Sequence, residues 1–89
     1  MQYTKRVGTS PLNDLVERSV RKNPMARFQN RSMGISYATQ ISVKPPTFVF
    51  FVPHARGVHF SYERYLMNSI REEFGFDKVP IKLIFRKKR

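Results

Sequence analysis

The run Ile35-Ser36-Tyr37-Ala38-Thr39-Gln40-Ile41-Ser42-Val43, followed by Lys44-Pro45-Pro46 and then Thr47-Phe48-Val49-Phe50-Phe51-Val52, decides how this chain reads. In its first part Ile35, Tyr37, Thr39, Ile41 and Val43 alternate with Ser36, Ala38, Gln40 and Ser42, and a period of two places the two sets on opposite faces of a half-buried strand. Two successive prolines cannot both sit inside a ladder, so Lys44-Pro45-Pro46 ends it. The second part is aromatic and β-branched, and the short connection makes it the antiparallel partner of the first. It is also apolar in both directions: Phe48, Phe50 and Val52 point one way, Val49 and Phe51 the other.

Working outward, Thr9-Ser10-Pro11 is a helix-entry signal in which a hydroxyl accepts from an orphan backbone N–H and proline needs no partner. Leu12, Leu15, Val16, Ser19 and Val20 then recur on one stripe, which predicts an amphipathic helix from Pro11 to about Lys22, ended by Asn23-Pro24. The stretch from Met25 to Met33 reads as a basic connection, with Met25 and Phe28 pinning it to the core. After a loop from Pro53 to Gly57, Ser61 is expected to cap a second helix with the stripe Tyr62, Leu66, Ile70 and Phe74, and Gly75 suits its left-handed close. Val79 to Phe85 reads as a third strand and Arg86 to Arg89 as a basic tail.

The order helix, strand, strand, helix, strand implies an α+β domain, two helices packed on one face of a three-stranded sheet. Strand order stays open, since a helix between the second and third strands permits more than one neighbour. Tyr37, Phe48, Phe50 and Tyr62 fall at core positions. The opposite face is left with Val49, Phe51 and Ile84, and burying two such side chains contributes roughly 3 to 5 kcal/mol to docking another domain. The alternative cover is the chain's own N-terminal segment, Tyr3 to Val7. Tyr65 lies off the buried stripe of the second helix and is a further candidate for interdomain contact or stacking.

At 89 residues, only about 60 to 65 % of the unfolded surface leaves water on folding, and with no cysteine neither disulfides nor a thiolate zinc site supplement the core. Neither a signal peptide nor a membrane-spanning run is present, so a soluble cytoplasmic protein is expected. Seventeen Lys and Arg oppose six Asp and Glu, a net charge of +11 that attracts polyanions. No acid stands between Glu17 and Glu63. Candidate nucleic-acid contacts are Arg18, Arg21, Lys22, Arg27 and Arg31 around the end of the first helix, and Arg86, Lys87, Lys88 and Arg89 at the C-terminus.

Catalytic chemistry has little to work with. No GxxxxGK[ST] phosphate loop occurs, and the glycines Gly8, Gly34, Gly57 and Gly75 are isolated, which also rules out a GXXG backbone clamp. His54 and His59 lack the companion ligands of a metal site, and Ser61 beside His59 lacks an orienting acid. No catalytic residue, metal or cofactor is assigned to this chain.

Five blocks carry a resemblance in order and spacing: Tyr37-Ala38-Thr39-Gln40; Pro45-Pro46-Thr47-Phe48; Ser61-Tyr62-Glu63-Arg64-Tyr65-Leu66-Met67-Asn68; Arg71-Glu72-Glu73-Phe74-Gly75-Phe76; and Pro80-Ile81-Lys82-Leu83. They resemble the C-terminal domain of the EngA/Der double-GTPase family, and Arg6-Val7-Gly8-Thr9-Ser10 with Leu12-Asn13 resembles its join to the preceding GTPase domain. The chain departs from the family's usual wording at Phe28 to Gly34 and at Pro53 to Val58. The resemblance implies a KH-like fold over residues 10–86, a linker over 1–9 and a basic tail over 87–89. It implies GTP and magnesium in the GTPase domains of a parent protein, and a role in maturing the large ribosomal subunit. The partners it implies are those GTPase domains and large-subunit ribosomal RNA, with no membrane and a monomeric isolated domain. The alternative is a standalone basic RNA-binding domain, marked by a steep salt dependence.

Overall fold

The computed structural model describes residues 6–76 and 78–87. Helix α1 (Thr9–Lys22) is followed by β1 (Tyr37–Val43), β2 (Pro46–Val52), a 3-10 turn (Ala55–Gly57), helix α2 (Phe60–Phe74) and β3 (Lys82–Lys87). This is the α+β, KH-like plan implied above. The sheet order is β1-β2-β3, with β1 antiparallel and β3 parallel to the central β2. A parallel pair needs a long crossover, and α2 supplies it.

Helix α1 starts earlier than expected. Gly8 occupies the N-cap without a side-chain bond, so Thr9 and Ser10 lie in the first turn rather than capping it. In α2 the cap is His59, whose ring accepts from the Ser61 backbone N–H, and not Ser61. Gly75 closes α2 at φ 76°, the left-handed value a side chain resists. The third strand lies later in the chain than expected, so Arg86 and Lys87 are strand residues rather than tail.

The core lies between the helices and one sheet face. Leu12, Leu15 and Val16 of α1 and Ile70 of α2 pack over Phe48 and Phe50, with Ile81 and Phe76 joining from the connection after α2. Phe50 stacks on Phe85 at 5.3 Å, and Phe48 meets Phe76 edge-on at 5.9 Å. Val7 is buried in this cluster and donates its N–H to Gln40 Oε1 at 2.6 Å, so the chain at Val7 enters the helical side of the sheet. Tyr3 to Lys5 lie outside the described residues.

The helices run antiparallel. Tyr62 and Tyr65, early in α2, donate their hydroxyls to the carbonyls of Asn23 and Ser19 at the end of α1, at 2.8 and 2.9 Å. The Ser19 carbonyl also accepts the backbone N–H of Asn23, so Tyr65 adds a second donor to it, while Tyr62 supplies a donor to the carbonyl of the helix's capping residue. Burial pushes the Tyr62 phenol up to about 12, with Tyr65 beside it acting in the same direction, so the phenol keeps the proton it donates.

One expectation is reversed. Tyr37 is 46 % exposed and Ile41 52 % exposed, whereas Ala38 and Gln40 are buried beneath α1. Helix α1 lies so close to β1 that the Asn13 amide brackets the edge strand: Nδ2 donates to Ala38 O at 2.8 Å and Oδ1 accepts from Ala38 N at 2.9 Å. Only small Ala38, and Gln40 as partner of Val7, stand beneath the helix. The register then slips between Gln40 and Ser42, leaving Ile41 as the extra residue of a bulge.

Candidate docking face and nucleic-acid interface

Register places Tyr37, Phe51 and Arg86 in one row of the helix-free sheet face and Thr39, Val49 and Ile84 in the next, with Thr47 and Lys82 beyond. Three of the sequence-derived docking residues, Val49, Phe51 and Ile84, therefore come together. They do not contribute equally: Val49, in the middle of the central strand, is already 3 % exposed, while Phe51 and Ile84 are half-buried. The remaining apolar surface comes largely from Tyr37 and Ile41, assigned above to the opposite face. Tyr37 leans on Phe51 at 6.4 Å. Tyr65 stands elsewhere, half-buried between the helices and edge-on to Tyr62 at 5.3 Å.

The charges are segregated. The described acids, Asp14, Glu17, Glu63, Glu72 and Glu73, all sit on the two helices, and no strand or connection among the described residues carries one. Of the candidate cations on α1, Arg18 is paired with Glu73 at 3.2 Å and Arg21 with Glu17 at 2.6 Å. Lys22 is exposed at the helix end.

The other cations gather at the end of the molecule where β2 leaves the sheet. Phe28 and Arg31 exchange backbone hydrogen bonds across Gln29 and Asn30, whose φ values of 52° and 62° make a tight two-residue turn. Arg27 steadies that turn by donating to Asn30 O at 2.6 Å. Phe28 does not join the core. It packs on the 3-10 turn, where a Cβ at Gly57 would stand 2.6 Å from the Phe28 ring, and its ring lies 5.8 Å from that of His54. Phe28, His54, Arg56 and Lys87 line one shallow cavity of about 300 Å³. Arg27, Arg31, Arg56 and Lys87 thus share one end, and Arg86 lies next to it on the open face. Arg56 was missed as a candidate because a lone arginine in a loop has no pattern. Lys88 and Arg89 lie outside the described residues.

The four glycines are dispersed among a helix cap, a connection, a ring contact and a helix end. Among the described residues no group of three or more His, Cys, Asp or Glu could hold a metal ion, and no helix is long and apolar enough to cross a membrane.

The family model for the KH-domain-like region of EngA bacterial GTPase enzymes, C-terminal, matches residues 6–86. The GTPase Der of Moorella thermoacetica is 51 % identical over 85 residues, covering 96 % of this chain and 19 % of the relative. The GTPase Der of Geobacter metallireducens shows the same identity and coverage, and that of Staphylococcus carnosus is 46 % identical over 86 residues, 97 % of this chain and 20 % of the relative. The chain spans about a fifth of the length of these curated relatives. An open apolar sheet face, cations collected at one end and sequence likeness along nearly the whole chain agree: it belongs to the family of KH-domain-like C-terminal domains of EngA bacterial GTPase enzymes.

Proposed function

We propose that this chain serves as the C-terminal domain of a longer cytoplasmic Der-type GTPase that acts in maturing the large ribosomal subunit. The open sheet face docks on the GTPase domains of the same protein, and the cationic end meets ribosomal RNA when that docking is released. GTP and magnesium belong to the GTPase domains in this reading, and the isolated domain is a monomer.

The observation that carries it is the open face. Tyr37 and Ile41 stand about half exposed on a sheet whose other side has both helices. Each would remove roughly 1 kcal/mol of apolar surface from water on docking, with Phe51 and Ile84 adding to it. Lys82 and Arg86 on the same face select a partner whose rim is acidic. The four-fifths of the relatives' length that this chain does not span is the candidate partner.

The test is a titration of this chain against the Moorella thermoacetica relative lacking its own C-terminal fifth. Ile41→Glu on the exposed strand is expected to weaken binding at least about tenfold, since an apolar contact is lost and a charge is buried. Unchanged affinity would remove the docking reading. A standalone RNA-binding role is favoured only by the net charge, and would show as RNA affinity with no affinity for the GTPase region.

A further inference from the structure

The start of α2 carries a feature that neither the core nor the docking face explains. Phe60 is 66 % exposed, more than Tyr37 or Ile41. Its ring is stacked on the His59 imidazole, centroids 5.0 Å apart and planes 27° apart. His59 is held in turn, with Nδ1 3.3 Å from the Ser61 backbone nitrogen and 2.9 Å from Ser61 Oγ. The pair is a preorganised aromatic surface at the domain's end.

Its surroundings suit a nucleotide. Arg64 lies one turn along α2 on the same face, exposed, and Asn68 follows at the same spacing. Arg56 precedes the pair in the 3-10 turn. Beside the stack, a cleft of about 350 Å³ runs between the connection after α1 and the start of α2, bounded by Asn23, Ala26, Gly57, His59 and Ser61. A volume of this order is in the range of small-ligand sites. Glu63, the acid in the first turn of α2, is half-buried.

We propose that Phe60, backed by His59 and flanked by Arg56 and Arg64, is a stacking subsite for an unpaired base of single-stranded RNA. Every base has a π-face, so an exposed ring selects unpaired over paired nucleotides without reading sequence, while the arginines hold the adjoining phosphates. This rests on the reading that the chain meets RNA and adds a preference: the cationic end alone grips any phosphate backbone, and the ring favours single strands.

The experiment is a fluorescence-anisotropy titration at low salt of the 89-residue chain against a short oligoadenylate and a blunt RNA duplex of equal length. Phe60→Ala, at an exposed position that leaves the fold intact, is expected to weaken oligoadenylate binding roughly 5- to 150-fold and to leave duplex binding unchanged. Phe60→Tyr retains the platform and the affinity. Arg56→Gln with Lys87→Gln weakens both probes. If the unmodified chain binds both probes and Phe60→Ala changes neither, or changes both equally, the stacking subsite falls while RNA contact stands. If it binds neither probe, both readings fall.

Discussion

The two faces of the sheet are made by one alternation along the same three strands, yet they behave as different materials. On the helical face Phe48, Phe50 and Val52 are fully buried, and the polar groups there are paired: Gln40 with Val7, and the Ala38 backbone with Asn13. On the other, Tyr37 and Ile41 remain exposed, Val49 is buried, and cations stand on the edge strand β3. A face buried within its own domain holds the fold, and an apolar face left partly open is available to a neighbour. Among the described residues the acids stand on the helices and none on the strands or connections, which repeats the division in charge.

The comparison breaks if the faces answer alike to substitution. The largest effect is expected at the covered face: Phe50→Ala removes a fully buried ring stacked on Phe85 and should cost about 3 to 5 kcal/mol, read as a lowered urea midpoint. A small loss there would mean that the helices do not hold this face.

Tyr62→Phe sharpens the helical side. Losing the bond to the Asn23 carbonyl should cost about 0.5 to 1.5 kcal/mol at neutral pH. The folded phenol titrates near 12, above its ordinary 10, so its contribution is complete below pH 10 and disappears as pH rises from 10 to about 12. The stability difference between the native chain and Tyr62→Phe should therefore shrink across that window in urea titrations at stepped pH, and a constant difference would contradict the burial of the phenol.

Smallest is the open face. Ile41→Thr, at a half-exposed bulge, should move the same midpoint by no more than about 0.5 kcal/mol. A cost comparable to that of Phe50→Ala would show Ile41 to be part of the fold's own core.

Much of this was legible from the chain. The stripe of α1 is buried as its spacing required at Leu12, Leu15, Val16 and Ser19, as is that of α2 at Tyr62, Leu66 and Ile70. The apolar character of β2 on both faces follows from residues that alternate without a polar set. The candidate site was half legible. Phe51 and Ile84 were found because alternation along β2 and β3 sets them opposite Phe50 and Phe85. Tyr37 and Ile41 were placed on the wrong face, because both sets of β1 are uncharged and the larger residues were assigned to the core. Phe60 and Arg56 had no periodic signal at all.

The sequence by itself determined the succession of elements, the excess of positive charge and the doubly apolar central strand, since these depend on neighbours a few residues apart. Which side of β1 faces the helices, the parallel placing of β3 beside β2, and the gathering of Arg27, Arg31, Arg56 and Lys87 at one end were decided only in the tertiary structure. Each depends on a close approach between distant segments, such as Asn13 over Ala38 or Phe28 against Gly57, and local propensity does not encode such an approach.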